Sequence, residues 1–300
     1  MLPSSTLARI TALSDSQEDF TNAVALYESA MRTRDALEFE RAIDLFEQAN
    51  KLFGAIDTGI PLLIAFTYDM ALAYDLAGNT KRALVLFKKT AAMYHHFCTD
   101  YPDDPAVEGF SGLLWGVNDY LSLWETANVN DEHYLDFITK RRWSAAKMPL
   151  KITVDKSDST GFDTTLSEII LDGFKAWTEG ANCLQWVEGT TTDEADIFVT
   201  RVSDGLGSAG GHTAFEDAVD DTGEPQLQSA TIRISMHSPD STHYDDAQLR
   251  ALRALAIHEA GHAFGLDGHS PHATDLMYWK SPLLNLSKRD LNTFRLLYPC

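Results

Sequence analysis

The sequence predicts an α+β protein of two domains, an all-α helical-repeat region followed by a mixed domain of strands and helices. Three observations carry that expectation. From about Asp19 to Phe97 apolar residues recur three and four apart with few β-branched side chains, the helical period. Beyond Pro149 the pattern changes to short alternating runs separated by longer amphipathic stretches. A length of 300 residues also exceeds what one ordinary domain needs. The expected domains are residues 16–140 and 149–300, with the basic run Lys140-Arg141-Arg142 and Pro149 placing the junction at about 140–148.

The helical region has turn chemistry only near Asp57-Thr58-Gly59 and Gly78-Asn79. Two stretches within it share one spacing: Ala30, Thr33, Leu37, Ala42, Phe46 and Ala49, then Ala71, Tyr74, Gly78, Ala83, Phe87 and Thr90. Small residues let paired helices approach closely, while the aromatic fills the hole beside the next pair. The second copy resembles the tetratricopeptide repeat; the first is degenerate, with Leu37 where Gly is expected. The resemblance covers about residues 23–97 and implies a module for protein interaction or for limiting access. The aromatic-rich stretch Phe110 to Phe137, with Trp115, Tyr120 and Trp124, is expected to add packing helices that complete the array.

In the second domain the expected order is a strand at Leu150 to Val154, a helix near Leu166 to Gly180, and strands at Leu184 to Val187 and Asp196 to Val202. Gly205 to Gly211 holds four glycines in seven residues and reads as a loop. Ala230 to Met236 alternates as a strand, and a long helix follows from about Asp245 to Phe264.

Composition narrows the partners. With 44% hydrophobic and 23% charged residues the chain is globular. Twenty-four Lys and Arg against 44 Asp and Glu give a net charge of −20, which repels phosphate backbones and anionic lipid, so neither nucleic acid nor a membrane is an expected partner. Cys98, Cys183 and Cys300 lack C-x-x-C spacing and are expected as free, mostly buried thiols. Neither an export signal nor a membrane-length apolar run is visible, which makes a cytoplasmic location the default expectation.

The chemistry lies in the last long helix, at His258-Glu259-Ala260-Gly261-His262. Two histidines four residues apart project from one helical face and can grip one ion, zinc being well suited to imidazole. Glu259, beside the first of them, is placed to act as a base on water at that ion. The apolar residues Leu252, Leu255, Ala256 and Ile257 put this motif on a core helix, and Gly265 permits the positive φ that ends it and turns the chain back. Candidates for a third ligand in the turned-back chain are His269, Asp267 and His272; His269 is preferred because it completes a three-imidazole set.

The run from His258 to His269 resembles the metzincin signature H-E-x-x-H-x-x-G-x-x-H, with one departure: the last His falls at 269, one residue late, which the freedom of Gly268 can absorb. Asp275-Leu276-Met277-Tyr278 resembles the methionine turn of that family, implying that Met277 packs beneath the imidazoles. Leu286-Ser287-Lys288-Arg289-Asp290-Leu291 and the Leu297-Tyr298 ending resemble the closing helix of the matrixin subgroup, and Ser287 with Asp290 is a capping box in its own right. Phe174-x-x-Trp177 and Ala195-Asp196-Ile197 fit the same subgroup.

The resemblance spans about residues 149–300. It implies a matrixin-like zincin domain with a twisted mixed sheet and an active-site helix, one catalytic Zn²⁺ on His258, His262 and His269, and Glu259 as general base. Gly265 and Met277 then support the site. It implies an endopeptidase acting on a peptide or protein substrate that lies along the sheet edge, with Ala230 to Met236 or the preceding glycine loop as the lip. An additional structural Zn²⁺ or Ca²⁺ is not expected, since only His212 and scattered acids such as Asp204, Asp217, Asp220 and Asp221 lie near that loop. The alternative is a repeat-based scaffold whose protease-like half is inactive and binds peptides.

Overall fold

The computed structural model describes residues 17–54, 59–126, 132–156, 162–181, 184–202, 210–219, 225–235 and 244–299. The chain divides into two compact units, residues 1–126 and 127–300.

The first unit is all-helical: α1 (Gln17–Asp35), α2 (Phe39–Phe53), α3 (Ile60–Leu76), α4 (Thr80–Asp100) and α5 (Pro105–Thr126). α1 packs on α2 and α3 on α4 as two hairpins. Ala30, Ala42, Phe46 and Ala49 are fully buried, as are Ala71, Ala83, Phe87 and Thr90, because the small side chains bring the paired helices together. Phe46 meets Phe66 of α3 at 5.8 Å between ring centroids, and Phe87 meets Tyr120 of α5 at 5.0 Å, so each aromatic reaches the next helix in the row.

Both hairpin turns close in the same way. The N–H groups of Leu37 and Glu38 donate to the carbonyls of Arg34 and Thr33, and those of Gly78 and Asn79 to Asp75 and Tyr74. Gly78 takes φ +81° and Leu37 takes φ +64°, so the leucine adopts the left-handed conformation that the glycine adopts without strain.

The second unit carries β1 (Ile138–Lys140), β2 (Arg142–Trp143), β3 (Leu150–Val154), α6 (Thr164–Ala181), β4 (Trp186–Glu188), β5 (Ile197–Val202), β6 (Gly211–Val219), β7 (Pro225–Ser235), α7 (Asp246–Ala263), β8 (Leu266–Gly268) and α8 (Lys288–Leu297). β4, β3, β5 and β7 lie side by side in parallel, and β7 also takes β2 in parallel at Gln226 and Leu227. β6 runs antiparallel along the other side of β7. The result is a mixed α+β unit on a largely parallel sheet.

Ile152, Val154, Ile197, Val199, Ile232 and Ile234 of the sheet are buried in one core with Leu166, Ile170, Phe174 and Trp177 of α6 and Leu252, Ala256 and Ala260 of α7. α6 and α7 touch so closely that a Cβ at Gly173 would lie 2.7 Å from the Ala256 carbonyl.

Several expectations are corrected here. The junction does not fall at 140–148: residues 132–143 belong to the second unit, because β1 pairs with β8, β2 with β7, and Tyr134 bonds to Asp290. Accordingly, the packing helix expected up to Phe137 ends at Thr126. Ala230 to Ser235 is not a sheet edge, since β7 has partners on both sides; among the described residues β6 is an edge strand, where the sequence indicates only the end of a glycine loop. Its residues, Gly-His-Thr-Ala-Phe-Glu-Asp-Ala-Val, lack apolar alternation, and none of them is fully buried. The loop residues 205–209 lie outside the described residues, as do Asp204, Asp220, Asp221, Cys183, Cys300 and Met236. Cys98 is a half-buried free thiol. Among the described residues no helix is long and apolar enough to cross a membrane.

Candidate metal centre

α7 starts at a capping box, with the Asp245 carboxylate accepting from Gln248 N–H and the Gln248 side chain accepting from Asp245 N–H. Its far end is held by aromatic donors: Trp143 Nε1 donates to the Ala263 carbonyl at 2.9 Å and Tyr298 Oη to Phe264 at 2.7 Å. Trp177 Nε1 donates to the Ile257 carbonyl at 2.8 Å, beside the first histidine. The helix carrying the motif is thus fixed at both ends and along its core face.

His258, His262 and His269 bring one ring nitrogen each within 4.8 Å of one another. Of the three candidates for the third place beside the helix pair, His269 is the one in this group. Asp267 instead accepts from Arg141 Nε at 2.8 Å. His272 takes part in the next turn, its N–H donating to Ser270 Oγ at 3.1 Å.

The other ring nitrogens of the helix pair are spoken for. His258 Nδ1 lies 2.9 Å from the Leu276 carbonyl and His262 Nδ1 lies 2.7 Å from the Leu266 carbonyl. A carbonyl only accepts, so both Nδ1 atoms carry the proton and both Nε2 atoms are bare. Those two bare nitrogens face each other at 3.1 Å, an arrangement of opposed lone pairs that a cation relieves. Tetrahedral zinc bound at about 2.0–2.1 Å places two ligands roughly 3.3 Å apart, so the donor set fits the ion. Among the described residues no second group of His, Cys, Asp or Glu converges in this way.

Burial sets the electrostatics. It is the first cause depressing His258, with the His262 charge second, and the pKa falls to about 4. His262 is lowered mainly by burial, and His269 falls well below the usual histidine range by burial and then by its two neighbours. All three rings are therefore neutral near pH 7. Glu259, 4% exposed, is pushed up by burial against the opposing pull of His258 and of the hydrogen bond from Thr213.

Thr213 sits on edge strand β6 and its Oγ1 donates to Glu259 Oε2 at 2.6 Å. Gly211, two residues earlier on the same strand, is where a Cβ would come within 2.5 Å of Glu259 Oε1. The carboxylate is thus pressed between its own helix and the edge strand, with one oxygen held by a hydroxyl.

Met277 is fully buried, and its Sδ fills the space a side chain at Gly261 would need, 2.5 Å from that Cβ position. The methionine turn therefore packs on α7 between the two histidines. Asp290 holds this turn: Oδ2 accepts from the N–H of Leu276 and Ser287 at 2.8 and 2.7 Å, and Oδ1 accepts from Met277 N–H at 3.3 Å and Tyr134 Oη at 2.7 Å. The Leu276 carbonyl, so fixed, orients His258. On the other side of the turn Ser270 N–H donates to the Met277 carbonyl and Ser270 Oγ to Asp275, which Arg289 grips with its guanidinium.

Sequence reasoning missed Thr213, Tyr134, Arg141 and the Ser270–Asp275–Arg289 chain. It identified Asp290 as a cap without its hold on the turn. Gly265 has φ +102° and Gly268 φ +141°, so both serve the chain reversal between the second and third histidines.

A search of curated proteins returned no match to the chain. A family model described as matrixin, peptidase M10, matches residues 142–299. Matrixins are metallopeptidases that normally bind zinc, with which the three-histidine cluster is compatible. The matched stretch is more than half of the chain, which therefore belongs to the matrixin family.

Proposed function

We propose that the second unit is a zinc-dependent endopeptidase, with His258, His262 and His269 holding the ion and Glu259 as general base. The observation that carries this reading is the pairing of neutral, convergent imidazoles with a buried carboxyl group directly beside them, its pKa raised by that burial. A purely structural zinc site has no use for such a group.

Zinc, when bound, lowers the pKa of water toward about 7 and polarises a substrate carbonyl. Glu259 takes the proton of the attacking water, its oxygen Oε2 kept in place by Thr213. As the C–N bond breaks, Glu259 returns that proton to the departing amine. Among the described residues no strand pairs with the outer edge of β6, and an extended peptide taking its backbone donors and acceptors would lie beside Gly211 and Thr213 and hence beside Glu259. The helices of the first unit, read as tetratricopeptide-like, bind a protein or limit access to the site.

Metal analysis and peptide hydrolysis test the reading together. The wild-type chain is expected to hold about one zinc and to cleave a broad protein substrate in a chelator-sensitive, zinc-restored way. Glu259→Gln is expected to keep the zinc while losing roughly 10²–10⁴-fold in kcat. Zinc-free wild-type protein, or unchanged turnover in Glu259→Gln, would sink the assignment.

A further inference from the structure

The segment just upstream of the matched family region is built into the metal centre. β1 pairs antiparallel with β8, Ile138 opposite Gly268, Thr139 opposite Asp267 and Lys140 opposite Leu266. β8 is the short stretch that joins the second histidine to the third. Its first residue, Leu266, supplies the carbonyl that orients His262, and its last, Gly268, precedes His269.

The contact is close at both ends. A Cβ at Gly265 would run into the Arg141 carbonyl, and one at Gly268 would lie 2.8 Å from the Phe137 carbonyl. The residue that makes the His262-to-His269 spacing one longer than the metzincin signature falls within this paired stretch.

Arg141 ties the segment to two other elements. Its Nε donates to Asp267 of β8 at 2.8 Å, its Nη1 pairs with Asp217 of β6, and its guanidinium lies 5.0 Å from the centre of the Phe215 ring. The side chain is 22% exposed, so these ion pairs are shielded from full solvent screening. One planar cation thereby links the ligand-bearing reversal to the edge strand that holds Glu259.

We infer that residues 137–141 form a strap that seats the third histidine, and that Arg141 is a positioning residue of the metal centre. The strap rests on the zinc reading of the site, and its effect is on metal affinity: without Arg141, β8 and His269 lose their fixed place relative to the helix pair. Groups that hold a ligand from behind typically contribute about 10–100-fold in metal affinity.

The test measures zinc dissociation by competition with a chromophoric chelator, on the full chain as wild type, Arg141→Gln and Arg141→Lys, beside thermal unfolding of the zinc-free forms. Arg141→Gln is expected to bind zinc at least about tenfold more weakly. Arg141→Lys, which keeps the charge but lacks the planar fork, is expected to fall between it and wild type. A cobalt-substituted Arg141→Gln protein should also show an altered visible absorption band, which loss of stability alone does not produce. Equal zinc affinity in folded Arg141→Gln overturns the strap while leaving the zinc reading intact, whereas a wild type that takes no zinc overturns both. Should Arg141→Gln fail to fold, Arg141→Lys decides, and an unchanged affinity there overturns the proposal.

Discussion

Thr213→Val removes the hydroxyl that donates to Glu259 Oε2 and lies 3.5 Å from the Glu259 carbonyl, and little else. Valine matches threonine in shape, so the contact of β6 with α7 is kept while the donor at 2.6 Å from Glu259 Oε2 disappears. A hydrogen bond to a buried charged acceptor contributes about 1.5–3 kcal/mol. The bond favours the ionised carboxylate, and it opposes burial, which is the leading cause of the raised pKa of Glu259. Its loss therefore raises that pKa further. Since the base must be ionised, the acidic limb of kcat/KM should move to higher pH, and activity below the limb should fall about 10–100-fold, the factor to which about 1.5–3 kcal/mol corresponds. Hydrolysis of a fluorogenic peptide from pH 5 to 9, with zinc content measured in parallel, reads both quantities. An acidic limb that stays in place, in a variant with full zinc and normal folding, would show that Thr213 does not govern the carboxylate.

Two further outcomes follow from the same geometry. Leu37→Gly should stabilise the first unit by about 1 kcal/mol, because Leu37 holds φ +64° where Gly78 sits in the equivalent turn; a lower melting temperature would contradict this. In chelator-treated protein, stability should drop as pH falls below 6.5. The folded pKa of His258 is depressed to about 4, so the unfolded chain takes the proton first; the stability is complete above 6.5 and is lost on the way down to 4. By pH 5 this one residue accounts for about 2 kcal/mol, read from denaturant midpoints at pH 7.5 and 5; identical midpoints would refute it.

The features legible in the chain are those whose geometry is set locally. His258 and His262 share a face because of the helical period, Gly265 ends that helix, and Ser287 with Asp290 caps the next one, all within a few positions. Periodicity likewise placed β3, β5, α6 and α7, since each has an apolar side facing one core. His269 was favoured by its chemistry, and the fold brings it to the helix pair while Asp267 pairs with Arg141.

What no local rule could supply are partnerships between distant segments. The edge strand β6 carries a polar, acidic sequence, so its existence comes from the backbone it shares with β7 and not from its own pattern. Thr213 finds Glu259 46 positions away, Arg141 finds Asp267 126 positions away, and Tyr134 finds Asp290 156 positions away. Periods and caps are written in neighbouring residues because steric and hydrogen-bonding preferences act over a turn or two. The holding of a base, a ligand loop and a methionine turn depends on which surfaces meet once the sheet and helices have packed, and that information is spread over the whole chain.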